Sequence, residues 1–401
     1  MYNKNYTTNV EIGVLNMDVK IEALKEEMVS IRRHIHQNPE IGYKEYSTSS
    51  FIKEYLESLG FDRVEILAQT GIKAVLFAKD AQQTVAFRSD MDALEGIQEK
   101  NDVPYKSKVK NVMHACGHDG HMAILLGLAK YLSLNRAKLT KNVVLIFQPA
   151  EESVGGAKRM IEECVLDNPK VDCIFGIHLF PGVEQGRVVI QKGPLMAQTV
   201  EFDVEIRGRS AHGAMPHLGI DTITIAAQLI NMIQSMLTRS INPYDAALIT
   251  FGRISGGQRR NIIAKKTLLE GILRTFNEEC NDTAVKKIKD IIKGLEKSWG
   301  AKIEYTELIN YPVVYNHPHL TEQVMAMFPP EERTTVEPLM IAEDFSFYQR
   351  EVPGLFMLLG TRNKHKGYIH PLHSDKFDFD EEVLLKGVSV FKTILENPLN
   401  V

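Results

Sequence analysis

The residues VVLIFQPAEE at positions 143–152 place five consecutive apolar side chains shortly before a proline and two neighbouring carboxylates. A continuous apolar run of this length is typical of a strand that is covered on both faces, as strands of parallel sheets are. In such sheets, ligands bind beyond the carboxyl ends of the strands. The stretch therefore predicts a buried strand that carries Glu151 and Glu152 to a functional edge of the sheet.

Outward from this strand, helical and strand patterns alternate along the first half of the chain. Such alternation predicts an α/β fold with a mostly parallel sheet. The apolar runs predict further strands at 72–78, 84–87, 173–177 and 355–360, and the helical periodicity predicts helices at 21–37, 47–59, from about His121 onward and at 380–395.

The pattern changes at about residue 197, because TVEFDVEI at 199–206 alternates apolar and polar residues as a strand with one buried face does. The predicted element order that follows is β-α-β-β-α-β, which indicates a ferredoxin-like α+β domain. The strand at 199–206 also offers an edge for pairing with another chain. A continuous apolar run typical of a buried strand returns at 355–360, so we expect a larger domain at 17–196 and 310–401 with a smaller domain inserted at 197–309.

Composition excludes several classes of protein. The 47 Lys and Arg against 51 Asp and Glu give a net charge of −4, which argues against a nucleic-acid partner. No apolar run reaches the length of a membrane span, and the N-terminus lacks the apolar core of a signal peptide. The four scattered cysteines agree with a reducing compartment. We therefore expect a cytoplasmic protein with no nucleic-acid or membrane partner, in which residues 1–16 form a leader and Met17 is an alternative start.

Metal-ligand side chains follow the buried strands. A single histidine or carboxylate at a strand end is ordinarily a hydrogen-bonded structural residue, but burying a whole set without a cation would cost on the order of several kcal/mol for each unpaired charge. The sequence therefore predicts a metal site. The residues concerned are Asp90, Asp92, Glu151, Glu152, His178, His370 and His373, with His114, Cys116, His118, Asp119 and His121 in MHACGHDGHMA at 113–123.

Within this set, Cys116 and His118 lie two residues apart, and Gly117 permits the turn that lets both reach one centre. The mixture of thiolate, imidazole and carboxylate favours zinc, manganese, cobalt or nickel over calcium or magnesium. A buried free thiol is the alternative for Cys116. The neighbours Glu151 and Glu152 suggest a division of labour in which one coordinates and the other takes a proton from water; the alternative is a solvated acidic pair.

These motifs resemble the amidohydrolase branch of the aminoacylase and carboxypeptidase-type metallopeptidases. That branch contains hippurate hydrolases, N-acyl amino acid amidohydrolases, N-acetyldiaminopimelate deacetylases and auxin-conjugate hydrolases. The resemblance covers nearly the whole chain, and HACGHD together with PAEE is its most specific part. Its markers include RRHIHQNPEIGYKE at 32–45, RSDMDAL at 88–94, QPAEE at 148–152, GIHLFP at 176–181, GRSAHGAMPHLGID at 208–221, GGQRRNIIA at 256–264, AEDFSFY at 342–348 and HPLHSD at 370–375.

The resemblance implies hydrolysis of N-acyl L-amino acids by a homodimer that is held together through the inserted lid and dimerisation domain. It also implies that Glu151 is the general base, that His212 polarises the scissile carbonyl, often in the partner subunit's site, and that Asn261 and Arg274 contact the substrate. Two divalent ions, zinc or manganese with cobalt or nickel as alternatives, would be bound by Cys116, His118, Glu152, His178 and His373.

Three other functions stay open at this point. The protein could be a dipeptidase or carboxypeptidase of the same fold, a catalytically silent metal-binding protein, or a thiol hydrolase that uses Cys116. The segment DALEGIQE at 92–99 departs from the branch, which has a proline after the leucine and one residue fewer before IQE. That departure concerns a loop beside the predicted site, and it bears on substrate preference.

Overall fold

Residues 21–400 are described by the computed structural model, and they fall into two compact units. The large unit contains the described residues up to Gly193, together with Asn316–Val336 and the described residues from Phe347 onward. The small unit contains Pro194–Tyr315 and Glu337–Ser346. The predicted leader at 1–16 lies outside the described residues.

The large unit is built on an eight-stranded sheet of order β1-β2-β6-β3-β7-β16-β8-β15. Its four central strands β6, β3, β7 and β16 run parallel, while β1 and β2 on one side and β8 on the other add antiparallel pairings. The predicted mostly parallel sheet is thus confirmed. The strands are β1 Arg63–Leu67, β2 Gly71–Leu76, β3 Thr84–Asp90, β6 Asn142–Gln148, β7 Cys173–Glu184, β8 Val188–Val189, β15 Arg333–Thr334 and β16 Gly354–Arg362.

Helices of the large unit pack onto this sheet through one extensive apolar core. The central helix begins at His118, three residues before the predicted start, because the left-handed Gly117 (φ 89°) turns the chain into it. The sequence did not predict the short helices at Ala157–Glu162, Pro318–Ala326 and Ser346–Glu351. The longer helices are Lys25–Gln37, Tyr46–Ser58, His118–Leu134 and Glu382–Glu396.

The small unit is a four-stranded antiparallel sheet with two long helices. Its order, β11-β12-β10-β13, is that of a ferredoxin-like sandwich, as predicted. Asp221 and Asn277 cap the helices by accepting hydrogen bonds from backbone N–H groups of the first turns. The elements are β10 Gln198–Arg207, Thr222–Ser240, β11 Ala247–Gly256, β12 Lys266–Thr275, Glu278–Trp299 and β13 Lys302–Tyr311. Short pairs are β4 Leu94–Glu95 with β5 Val112–Met113 and β9 Gly193–Met196 with β14 Val314–Asn316.

The expectation that the strand at 199–206 offers a free edge is wrong. This strand, β10, lies inside the sheet and pairs with β12 on one side and β13 on the other. Its alternating pattern arises because one face of the sheet packs on the apolar core of the unit. The edges of this sheet are β11 and β13.

Among the described residues, no helix is both long enough and apolar enough to cross a membrane.

Candidate metal centre

The predicted ligands of the large unit converge although they come from distant parts of the chain. Cys116 and His118 lie where the chain enters the central helix, and His178 lies within β7. Glu152 follows the end of β6, and His373 follows β16. The backbone N–H of His373 donates to the carbonyl of Ala115 at 2.8 Å, which ties the last ligand to the first.

Two groups of potential ligands share the Cys116 sulfur. In one group the ligand atoms of Cys116, His118 and His178 all lie within 4.8 Å of one another, and in the other those of Cys116, Glu152 and His373 do. The Cys116 sulfur lies 3.5 Å from Nε2 of His178, and Nε2 of His373 lies 3.2 Å from the Glu152 carboxylate. The arrangement can hold two cations side by side.

Two buried atoms of this cluster support a metal. Nε2 of His118 has no hydrogen-bond partner among the described residues, and Oε1 of Glu152 makes no well-aligned hydrogen bond there, its contact being with Nε2 of His373 at 3.2 Å. Buried polar atoms are nearly always paired, so atoms without a partner in a cluster of ligands fit coordination of an ion. The donor set of one thiolate, three imidazoles and a carboxylate therefore fits transition-metal ions.

Hydrogen bonds fix which nitrogen of two histidines faces the cluster. Nδ1 of His118 donates to the backbone oxygen of Asp92 at 2.9 Å, and Nδ1 of His178 donates to the backbone oxygen of Leu179 at 2.8 Å. In the neutral form of each ring, Nε2 therefore carries no proton and is directed at the site. Such outer contacts orient metal ligands in proteins.

The charges around the cluster favour a cation. Burial alone would lower the pKa of His118, but the carboxylates of Asp90, Asp92 and Glu152 raise it to about 10. Burial, together with the negative charges of Glu152 and Glu151, raises the pKa of the Cys116 thiol well above its usual value. A bound cation would relieve both effects, because it replaces protons on the ligands.

His121 is close to the cluster but is already fully engaged. Its Nδ1 donates to Asp90 at 2.6 Å, and its Nε2 accepts from the backbone N–H of Leu179 at 2.8 Å. Asp90 also accepts from Arg88 at 2.8 Å. These contacts make His121 and Asp90 supports of the site, whereas the sequence presented them as potential ligands.

Asp92 holds the carboxylate pair in place. Its two oxygens accept the backbone N–H groups of Glu151 and Glu152, each at 3.0 Å. Glu151 has a carboxylate oxygen within 4.8 Å of ligand atoms of both His118 and Glu152. The predicted division of labour is compatible with this placement, since Glu152 also belongs to the group with Cys116 and Glu151 does not.

A buried ionic network that sequence reasoning missed lies next to His118. Asp119 accepts from Arg32 at 2.6 Å and from Nδ1 of His36 at 2.8 Å, and Arg32 also binds Asp378 at 2.8 Å. Arg32 and His36 lie on the buried face of the helix Lys25–Gln37 together with Ile31. Charged residues on an otherwise apolar helix face were the available signal.

The segment that departs from the resembled branch forms a supported turn. Gly96 has φ 87° and donates its N–H to the backbone oxygen of Asn111 at 2.8 Å. Glu99, at the end of the segment, is buried and accepts from the N–H of Ser107 at 2.7 Å. Glu99 also lies 3.4 Å from Nε2 of His36.

Two other predicted site residues lie together on the small unit. His212 and Ile262 form a β-bridge, and the N–H of Gly213 donates to the backbone oxygen of Asn261 at 2.9 Å. His212 is exposed, and its Nδ1 accepts from the N–H of Ala214 at 3.1 Å. The neutral ring therefore carries its proton on Nε2, which is available as a donor.

Arg274 lies near the end of β12, opposite Thr199 and Leu248 of the neighbouring strands. Its Nη1 is buried without a hydrogen-bond partner among the described residues, and burial lowers the pKa of the guanidinium. A buried donor without a partner fits an anionic ligand.

Known proteins match this chain over most of its length. The chain is 40% identical over 381 residues to thermostable carboxypeptidase 2 of Saccharolobus solfataricus, covering 93% of this chain and 95% of that protein. It is 35% identical over 371 residues to the N-acetyl-L-cysteine deacetylase of Bacillus subtilis, covering 92% and 87%. It is 34% identical over 375 residues to the N-acetyldiaminopimelate deacetylase of Listeria innocua, covering 92% and 99%.

A solved structure agrees with these relatives. The Bacillus subtilis YXEP protein, described as a dinuclear metal binding peptidase, superposes with a TM-score of 0.80 at 30% identity, covering 93% of this chain and 98% of that one. The sequence signature described as Peptidase family M20/M25/M40 matches residues 86–397. With this match over most of its length, the chain belongs to the Peptidase family M20/M25/M40.

Proposed function

We propose that the protein is a metal-dependent amidohydrolase that removes the acyl group from N-acyl L-amino acids. The observation that carries the proposal is the convergence of two ligand groups, sharing Cys116, beside the Glu151 carboxylate. The names of the Bacillus and Listeria relatives support the substrate class, since both are called deacetylases of N-acetylated amino acids.

Two divalent transition-metal ions would be held by the five predicted ligands, with zinc or manganese preferred by the donor set. When bound, such ions activate water and stabilise charge that develops on the carbonyl oxygen. The dinuclear description of the YXEP structure supports a pair. The five ligands are Cys116, His118, Glu152, His178 and His373.

Glu151 would act as base and then as acid. Its carboxylate takes a proton from the attacking water and delivers it to the departing amine, so that a single residue serves both halves of the reaction. The bonds from Asp92 to the N–H groups of Glu151 and Glu152 support this role, because a base must be held within hydrogen-bond reach of the proton that it takes.

His212, Asn261 and Arg274 would recognise the substrate from the small unit. The Nε2 proton of His212 suits a hydrogen bond to the scissile carbonyl oxygen, which strengthens as negative charge develops. The buried Nη1 of Arg274 suits the carboxylate of an amino acid. The inserted domain at 197–309 would serve as a lid and as the contact between the two subunits of a homodimer.

A carboxypeptidase or dipeptidase is the second candidate, because the Saccharolobus relative at 40% identity is named a carboxypeptidase. The catalytically silent protein and the thiol hydrolase are further alternatives. The raised pKa of the Cys116 thiol argues against a free thiolate nucleophile.

The test is hydrolysis of N-acetyl amino acids, N-benzoyl amino acids and free dipeptides by the purified protein, before and after chelation and after restoring zinc, manganese, cobalt or nickel. Glu151→Gln is the matched variant, since it keeps the shape of the side chain and removes the base. Metal-dependent release of amino acid from an N-acyl substrate, lost in the variant, supports the proposal.

Each alternative has its own outcome in the same experiment. Preference for free dipeptides selects the peptidase. Activity that survives chelation but is lost on alkylation selects the thiol hydrolase. Stoichiometric metal without turnover of any substrate selects the binding protein.

A further inference from the structure

The N-terminal motif RRHIHQNPEIGYKE contributes no residue to the proposed mechanism, yet its second half contacts the turn that carries the base. That turn, residues 149–153, is called the Glu151 turn below. The contacting segment is Glu40–Glu45, and both lie in the large unit.

Glu45 binds the Glu151 turn through a buried carboxylate. Its side chain is fully buried, and one oxygen accepts the backbone N–H of Ala150 at 2.9 Å. The other oxygen accepts the hydroxyl of Thr70 at 2.7 Å. The bond to Ala150 is therefore made by a side chain that is itself anchored, which lets it hold the turn in one position.

Ala150 needs such support because its backbone is strained. Its φ is 58°, in the left-handed region, which costs a residue with a Cβ about 1–2 kcal/mol. Strain of this kind persists only where the surroundings enforce it, and it is concentrated at functional sites. The N–H groups of Ala150, Glu151 and Glu152 are bound in succession by Glu45 and Asp92.

Gly42 brings the same segment against both ends of the turn. A Cβ at this position would lie 2.4 Å from the hydroxyl oxygen of Ser153 and 3.0 Å from Cα of Ala150. The hydroxyl of Tyr43 donates to the backbone oxygen of Gly155 at 3.1 Å, just beyond the turn. Close packing and hydrogen bonds thus act on the turn together.

We propose that Glu45 is a positioning residue for the general base: by holding the N–H of the strained Ala150, it keeps the Glu151 carboxylate at the place where it meets the attacking water. The inference rests on the proposed function, in which Glu151 is the base. Glu45 acts through the backbone of the turn and touches no substrate. A displacement of about 1 Å in a catalytic group costs on the order of 10²-fold in rate.

The experiment compares Glu45→Ala, Glu45→Gln and Gly42→Ala with the wild-type holoenzyme. We expect Glu45→Ala to lower kcat on an N-acyl amino acid by about 10–100-fold, with KM and bound metal unchanged. In Glu45→Gln the amide oxygen still accepts the Ala150 N–H, so most of kcat returns. Gly42→Ala lowers kcat because its methyl group displaces Ser153 and Ala150.

The matched control is Asp172→Ala. Asp172 also accepts a backbone N–H, that of Thr84 at 2.7 Å, but it does so at the amino end of β3, away from the Glu151 turn. A purely structural loss lowers the melting temperature and leaves kcat unchanged, which is the result expected for this variant. If Glu45→Ala does not fold, Glu45→Gln and Gly42→Ala decide the question.

Hydrogen exchange provides a readout that does not depend on turnover. The amides of residues 150–152 should exchange faster in Glu45→Ala than in wild type, and at the wild-type rate in Asp172→Ala. If wild type hydrolyses no N-acyl substrate, the proposed function fails while exchange still decides the positioning role. The inference is overturned if Glu45→Ala leaves amide exchange at residues 150–152 or kcat unchanged. It is also overturned if Glu45→Gln lowers kcat as much as Glu45→Ala does.

Discussion

Two histidine-containing segments of this protein differ in how their roles can be assigned. In MHACGHDGHMA of the large unit, both nitrogens of His121 have partners, and Nδ1 of His118 donates to the backbone oxygen of Asp92. In SAHGAMPH of the small unit, His212 is exposed and its ring accepts a single N–H, from Ala214. The contacts of the first segment lie within one unit and fit metal binding. The catalytic role proposed for His212 in the second segment rests on family resemblance. Experiments on the first segment should therefore measure bound metal, and experiments on the second should measure the rate of turnover.

The largest effect is expected for His118→Ala. If His118 is a metal ligand, as proposed, its removal should lower kcat/KM on the order of 10³-fold or more, because a bound metal supplies several kcal/mol of transition-state stabilisation. Metal content measured by mass spectrometry should fall with it. His121→Asn is the control: it should weaken metal affinity by about 10–100-fold but restore full stoichiometry at saturating metal. Wild-type metal content in His118→Ala would break the distinction between the two histidines.

Arg32→Met tests the support of the first segment. The substitution leaves Asp119 buried with only His36 as its partner, and we expect the free energy of unfolding to fall by about 3–5 kcal/mol in denaturant titration. The control Arg253→Met removes an exposed pair with Glu270 and should cost only about 0–1 kcal/mol. If the two variants lose equal free energy of unfolding, burial of the Arg32 network contributes nothing to stability.

His212→Ala tests the second segment. If its ring donates to the scissile carbonyl oxygen, kcat should fall by about 10²–10³-fold, as for other oxyanion donors, with metal content unchanged. His217→Ala, at another exposed position of the same loop, should leave kcat as in wild type. A His212 variant that turns over normally would remove the only catalytic role proposed for the small unit.

The smallest effect is expected for Arg274→Lys. A lysine keeps the charge but loses the two-pronged geometry, so KM for an N-acyl amino acid should rise by about tenfold while kcat is maintained. The same substrate as its amide, which lacks the carboxylate, should bind wild type and variant equally. If Arg274→Lys still discriminates against the amide, another residue must recognise the carboxylate.

The sequence predicted well those features that depend on local pattern. Apolar runs located β6 and the start of β7, and the turn at Gly117 was expected from its neighbours. The full length of β7 was missed because its later residues, such as Gly182, carry no apolar pattern. The pairing of the strands, which puts β10 inside its sheet, depends on tertiary contacts that a single strand pattern does not contain.

The candidate site shows the same limit. Residue types and spacing indicated the five predicted ligands, but they could not separate His118 from His121. That difference lies in Nε2, which accepts the backbone N–H of Leu179 in His121 and has no hydrogen-bond partner among the described residues in His118. The contact of Glu45 with Ala150 could not be predicted for a similar reason. A lone glutamate in a polar stretch looks solvated, and only the fold reveals that it is buried against Ala150.

The position of β16 in the sheet has a consequence for synthesis of the chain. This strand comes from residues 354–362, yet it lies between β7 and β8, and His373 follows it. While the ribosome is still making residues 194–315, the large sheet therefore has a gap and the ligand set is incomplete. The small unit contains all the strands of its own sheet by residue 311. We therefore expect the small unit to fold during translation and the metal centre to form only near its end, so that a chain stopped short of residue 373 would lack a complete site.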